Sequence, residues 1–278
     1  MKSSIVNERL AVCSWSLLPA DPHDLVAKLS ATGMTRMQLA LDPLRENAAI
    51  WGDTATVLRQ AEVTVVSGMF GCVGEDYSTL DSIRVTGGIA PDATWPENLK
   101  NIQATAGIAA DLGLKLVTFH AGFVPHEPTR PDYQKMLSRL AVVAEIFAAR
   151  QVQVGLETGQ ESAAALARLL AALDLPNVGV NFDPANLILY GQGDPVAAIR
   201  TLGSLVRQVH LKDAKSTEVP GTWGEEVVAG TGEVNWPEFF RALTEINFAG
   251  DIVIEREAGT QSIADVRAAR EVLVKSIP

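Results

Sequence analysis

The strongest limit on what this chain can fold into is a rhythm. Eight short apolar runs each precede a longer amphipathic stretch. The runs are LAVCSW, RMQLAL, VTVVSGM, LKLVTFH, VQVGLE, VGVNFD, LVRQVHLK and DIVIE. Each is strand-length and rich in β-branched or aromatic residues. Helices are expected to start near Pro22, Arg45, Trp95, Pro131, Glu161, Asp194, Asn235 and Ser262. Asp194-Pro195 and Asn235-Trp236-Pro237 put a capping side chain just ahead of a first-turn proline. Strict alternation of strand and helix calls for parallel βα units. Eight such units close a (β/α)8 TIM barrel, whose usual length of ~250 residues suits one domain over 1–278. The rival, an open doubly wound sheet, normally carries a glycine-rich phosphate loop after its first strand. Here that position reads SWSLLPADP.

Composition removes several function classes. A net charge of −10 argues against a general nucleic-acid binder. Two cysteines, Cys13 and Cys72, do not make a disulfide scaffold, and a reducing cytoplasm is the expected setting. MKSSIVNERLAV lacks the apolar core of a secretory leader. No apolar run approaches the ~18 residues of a membrane span; LARLLAALDL is short and carries Arg168 and Asp174.

Parity along the later strands locates the chemistry. Val117, Phe119, Val154, Leu156, Val180, Phe182, Val209, Leu211, Ile252 and Ile254 form one class, expected to pack under the helices. The opposite class ends in His120, Glu157, Asp183, His210 and Glu255, converging at the barrel mouth. Taken singly, each has an ordinary role. Asp183 before Pro184 could form a turn or cap, Glu157 could cap a helix, and Glu255 could pair with Arg256. Repetition over four strands weakens those roles. Buried carboxylates cost several kcal/mol unless paired or metal-bound. Glu157, Asp183, His210 and Glu255 are therefore expected to hold one divalent metal ion: manganese, magnesium, cobalt, iron or zinc, with the carboxylate excess leaning toward manganese or magnesium. Lys212 shares the inward parity of His210 and could touch a substrate oxygen or pair with Asp213. His120 is placed to bind a hydroxyl. Trp15, Trp223 and Trp236 could wall a sugar face, and Arg256 and Glu257 could lie beside the site or on the surface. His126, among prolines, is expected to be exposed. Two long aperiodic stretches, 71–95 and 215–236, fall where a barrel builds its active site.

GLETGQE, NFDPAN, VHLKDA, GTGEVNWPEFF and IVIEREAG resemble the sugar phosphate isomerase/epimerase family, the xylose isomerase-like barrels. VCSWSL and TFHAGFVP match in the same order, so the resemblance covers nearly the whole chain. By that resemblance Glu157, Asp183, His210 and Glu255 are the metal ligands, and Glu157 and Glu255 double as the acid–base pair. The implied substrate is a small carbohydrate with a carbonyl, turned over through an enediolate. Asn186 stands where epimerase relatives place a substrate-contacting histidine. A metal-dependent lyase acting on a keto-sugar, keto-glycoside or keto-inositol is the alternative, and a non-catalytic sugar-binding barrel the third reading. No glycine-rich phosphate cradle stands out, and Lys212, Lys215 and Arg256 are the only nearby basic candidates, which favours a free sugar or glycoside. The resemblance further implies a homodimer or homotetramer.

Overall fold

The computed structural model describes residues 8–125, 127–219 and 221–277; His126 lies outside them. Eight parallel strands close on themselves: β1 (Leu10–Cys13), β2 (Arg36–Ala40), β3 (Thr64–Met69), β4 (Leu116–Phe119), β5 (Gln153–Glu157), β6 (Val178–Phe182), β7 (Val206–Leu211) and β10 (Ile252–Ile254). β1 pairs with β2 on one side and β10 on the other, which rules out the open sheet. The protein is a (β/α)8 TIM barrel.

Capping chemistry starts the outer helices where the sequence places them. Asp194 accepts from the Ala197 amide at the head of Pro195–Leu202, and Asn235 from the Glu238 amide at the head of Trp236–Glu245. Ser162 does the same for Ala163–Leu173. Helices Pro22–Thr32, Trp95–Asp111, Pro131–Ala148 and Ser262–Ser276 complete the long ones. The single helix expected near Arg45 is instead three short pieces, Asp42–Glu46, Ala48–Trp51 and Thr54–Gln60. Among the described residues, no helix is long and apolar enough to cross a membrane.

The apolar strand class packs between barrel and helices as expected. Val117, Phe119, Val180, Phe182, Val209 and Leu211 are fully buried. Phe182 meets Phe239 of helix Trp236–Glu245 at 5.7 Å between ring centres, and truncating it to alanine would cost about 3–5 kcal/mol.

Inside the barrel the chemistry changes. Barrel interiors usually fill with branched aliphatics. Here Gln38, Ser67, Thr118, Asn181 and Gln208 are buried at 1% exposure or less. They satisfy one another. Gln38 Nε2 donates to Thr118 Oγ1 at 2.8 Å, Ser67 Oγ to Gln208 Oε1 at 2.6 Å, and Gln208 Nε2 to Asn181 Oδ1 at 3.1 Å. Such a network is stable only when nearly every member is paired. It forms the floor on which the strand-end residues sit.

Both long aperiodic stretches carry structure. The first contains helix Leu80–Thr86, started by a reciprocal Thr79–Ser82 cap. It docks on the exit of β4 at Gly88 and Gly122, both at positive φ; a Cβ on Gly88 would lie 2.1 Å from the Ala121 carbonyl. The second folds back as a hairpin, β8 (Asp213–Lys215) against β9 (Glu225–Val227). Asp213 anchors it by accepting from the amides of Gly230, Gly232 and Val234 and from Trp236 Nε1.

Candidate active site

Glu157 closes β5, Asp183 follows β6, His210 lies in β7 and Glu255 follows β10. Period-two alternation turns all four inward, and none exceeds 5% exposure. One ligand atom from each fits within 4.8 Å of all the others. His210 Nδ1 lies 3.1 Å from Glu255 Oε2, 3.4 Å from Glu157 Oε1 and 3.7 Å from Asp183 Oδ2. Asp183 performs two jobs with two oxygens. Oδ1 accepts from the Asn186 amide and starts the short helix Pro184–Leu189. Oδ2 is buried and lacks a hydrogen-bond partner among the described residues.

The donor set suits a divalent metal. Three carboxylate oxygens and one imidazole nitrogen match the preferences of magnesium, manganese and related ions, and Asp183 Oδ2, 3.7 Å from both His210 Nδ1 and Lys212 Nζ without a hydrogen bond, is open to a closer cation. A second cluster, Cys13 with His210 and Glu255, is a poorer cage, because burial pushes the Cys13 thiol far up and keeps it protonated. His210 also has its tautomer arranged. Gln38 Nε2 points at the Gly68 carbonyl, which can only accept, so Gln38 Oε1 faces His210 Nε2 at 2.8 Å. Burial works against a charge on His210, but Glu255 and Glu157 overcome it and hold the ring protonated well above its ordinary range. With a metal in place of the Nδ1 proton, the neutral ring would keep its proton on Nε2 and offer the Nδ1 lone pair to the ion.

Burial and charge work against each other here. Burial raises Asp183 to about 6, with Lys212 and His210 restraining the rise. Burial also pushes on Glu255, yet Lys212 and His210 overcome it and hold the carboxyl well below its usual range. For Glu157, His120 and His210 offset burial and lower it. Lys212 stays firmly protonated against burial, with Glu255 and Glu257 as its chief partners. Its Nζ lies 3.0 Å from Glu255 and 2.6 Å from Glu257, so the pairing with Asp213 does not form.

Neighbouring residues orient the two glutamates. Asn181 Nδ2 donates to Glu157 Oε2 at 3.1 Å, and Asn186 Nδ2 to Glu157 Oε1 at 3.2 Å. Trp15 Nε1 donates to Glu255 Oε1 at 2.8 Å. His120 Nε2 is 3.6 Å from Glu157, while its Nδ1 is buried without a hydrogen-bond partner among the described residues. Above these groups opens a cavity of about 720 Å³. Trp15, His120, Asn186 and Lys212 all line it, as does Trp223. Trp236 does not wall it; that ring packs on Phe239 and Phe240. Arg256 stands behind the wall, its guanidinium joining Glu226 at 2.8 Å and Asp265 at 3.0 Å.

Several lining residues escaped sequence reasoning. Glu75 and Tyr77 arrive from the first long loop and Glu226 from the hairpin. Loop length was their only signal. Gln38 and Asn181 could have been found by extending the inward parity one layer down the barrel.

A closed parallel barrel whose mouth gathers three acids and a histidine defines the class. The model of the xylose isomerase-like TIM barrel family matches residues 25–276, and the chain belongs to that family. A xylose isomerase domain protein from Planctomyces limnophilus is 32% identical, with a TM-score of 0.82 over 90% of both chains. An L-ribulose 3-epimerase shares the fold at 20% identity, TM-score 0.71, over 95% of this chain and 92% of that one. A barrel of the same kind from Mycobacterium smegmatis, solved with magnesium, is 14% identical at TM-score 0.74, over 98% and 97%. Among curated relatives, inosose dehydratase from Lacticaseibacillus casei is 24% identical over 43% of this chain. The chain spans under half the length of the curated relatives it matches, 38% for an uncharacterized Bacillus subtilis protein and 46% for the dehydratase.

Proposed function

We propose that this protein is a divalent-metal-dependent isomerase or epimerase of a small carbonyl sugar, acting through an enediolate. The observation that carries the reading is the placement of two buried glutamates from separate strands. Glu157 and Glu255 face the same His210 nitrogen, at 3.4 and 3.1 Å, beneath one open cavity. A metal on Glu157, Asp183, His210 and Glu255 would polarise a carbonyl when bound. The chain's own groups would then do the proton work. One glutamate takes the proton from the carbon beside the carbonyl, and the other returns one to the opposite face. Lys212 bridges buried Glu255 and Glu257, whose side chain is 55% exposed, and offers a route for that proton to solvent. His120 and Asn186 would bind substrate hydroxyls. The sugar-acting relatives agree with an enzyme of this kind.

A lyase is the second reading, and the buried Lys212 ammonium favours it, since that group could protonate a departing hydroxyl. One experiment separates the readings: incubate metal-loaded protein in D2O with a panel of ketoses and keto-glycosides and follow mass and label. Deuterium gained at carbon with no loss of water supports the epimerase or isomerase. A dehydrated product supports the lyase. No exchange and no product from any member would sink both.

A further inference from the structure

We infer that the cavity selects an uncharged polyhydroxylated substrate, a free sugar or glycoside, and rejects its phosphorylated and carboxylated counterparts. This rests on the proposed reading that the same cavity holds the substrate. Its walls carry five acidic side chains: Asp42, Glu75, Glu226, Glu255 and Glu257. Only Lys212 and His120 oppose them among the lining residues. An anionic group needs a free cation or a cluster of unpaired amides to bind.

Lys215 is exposed and does not line the cavity, and the cations at or behind its wall are already committed. Lys212 lies between Glu255 and Glu257, 3.7 Å from Asp183. Arg256 is held between Glu226 and Asp265. Arg45 is paired with Asp42 at 2.6 Å and with Glu46. Using any of them for a phosphate would strand a carboxylate in a confined space, where like charges repel strongly. A divalent cation does not reverse the balance, because its two charges meet three carboxylates on the four ligands.

What the walls do offer suits hydroxyls. Trp223 Nε1 is a buried donor with no partner among the described residues, and His120 Nδ1 is likewise unpaired. Trp223 Nε1 could donate to a hydroxyl oxygen, while His120 Nδ1, whose Nε2 faces Glu157, and the acidic oxygens accept from hydroxyl hydrogens. Trp15, Phe70, Tyr77 and Tyr190 supply apolar faces for the C–H side of a ring. Tyr190 is itself braced edge-on by Trp223, ring centres 4.8 Å apart. A cavity of about 720 Å³ lies in the upper range for pockets that enclose drug-sized ligands, so a substituent on the ring has room.

The test compares matched pairs on the metal-loaded protein. D-fructose is set against fructose 6-phosphate, and a methyl keto-glucoside against the corresponding keto-glucuronide. Calorimetry gives Kd for each, and deuterium exchange is followed in parallel. The neutral member of each pair should bind at least about a hundredfold more tightly, and the tighter pair identifies free sugar or glycoside. Glu257→Gln, which leaves Lys212 less neutralised, should narrow the gap by about tenfold. Equal or tighter binding of the anionic members, or no binding of either neutral member, overturns the inference. Neutral binding with the expected gap but no exchange supports it while removing the proton-transfer reading.

Discussion

The two halves of the barrel mouth divide the labour. β5, β6, β7 and β10 each end in an ionisable side chain that enters the four-residue cluster. The exits of β1, β2 and β3 bring Trp15, Ala40, Met69 and Phe70 to the cavity, and β4 brings His120. Both halves are built from the same parallel strand–helix units, so the difference lies in what the strand ends and their loops carry. The first half still acts on the second across the barrel: Gln38 fixes the imidazole of His210, and Trp15 holds Glu255. On the proposed reading, chemistry sits on one half while the other half orients it. That division can be tested from both sides.

The largest effect should come from the charged half. Glu157→Gln or Glu255→Gln should lower turnover by about a thousandfold or more, the scale of lost acid–base catalysis, with an unchanged circular dichroism spectrum. Wild-type turnover in either variant would break the comparison. Crossing to the supporting half, Gln38→Leu leaves His210 in place but frees its tautomer. Metal affinity measured by calorimetry should fall about 10- to 100-fold. An unchanged affinity would mean that the first half is only a wall.

A stability effect follows at the exit of β5. Glu161 is buried, and burial alone pushes its carboxyl to about 8. The folded state therefore holds a proton that the unfolded chain has lost above its ordinary carboxylate range, so stability falls as pH rises from about 4.5 to about 8. Glu161→Gln should flatten that fall and stabilise the protein by about 2 kcal/mol at pH 7 in urea titrations. An unchanged pH profile in the variant would show that the buried charge is compensated. The smallest change is expected for Trp15→Phe, which keeps the ring but removes the donor to Glu255. It should cost about tenfold in kcat with little change in KM; a change confined to KM would make Trp15 a wall only.

Much of this was legible in the sequence, for a physical reason. Strand periodicity of two fixes which side chains share a face, so the inward placement of Glu157, Asp183, His210 and Glu255 needed no knowledge of loops. Asp183 also turned out to be a helix cap, the ordinary role weighed against it, because its two oxygens can serve different partners. Pairings between distant positions were not legible. Lys212 chose Glu257 over its neighbour Asp213, whose carboxylate is taken up by hairpin amides. Glu75 and Tyr77 reach the cavity from a loop and Glu226 from the hairpin, where the sequence carries no directional signal; Trp223, singled out as a possible wall by its residue type alone, does line it. The helix Pro184–Leu189 is too short for a helical repeat to register.

Everything proposed for this barrel depends on the four strand-end residues forming one metal site. Manganese added to metal-stripped protein, counted by the loss of its free-ion electron paramagnetic resonance signal, tests it most directly. One ion bound per chain in the wild type, with binding lost in both Asp183→Asn and Glu255→Gln, is the predicted result. Undiminished binding in those two variants, or no binding in the wild type, would contradict it.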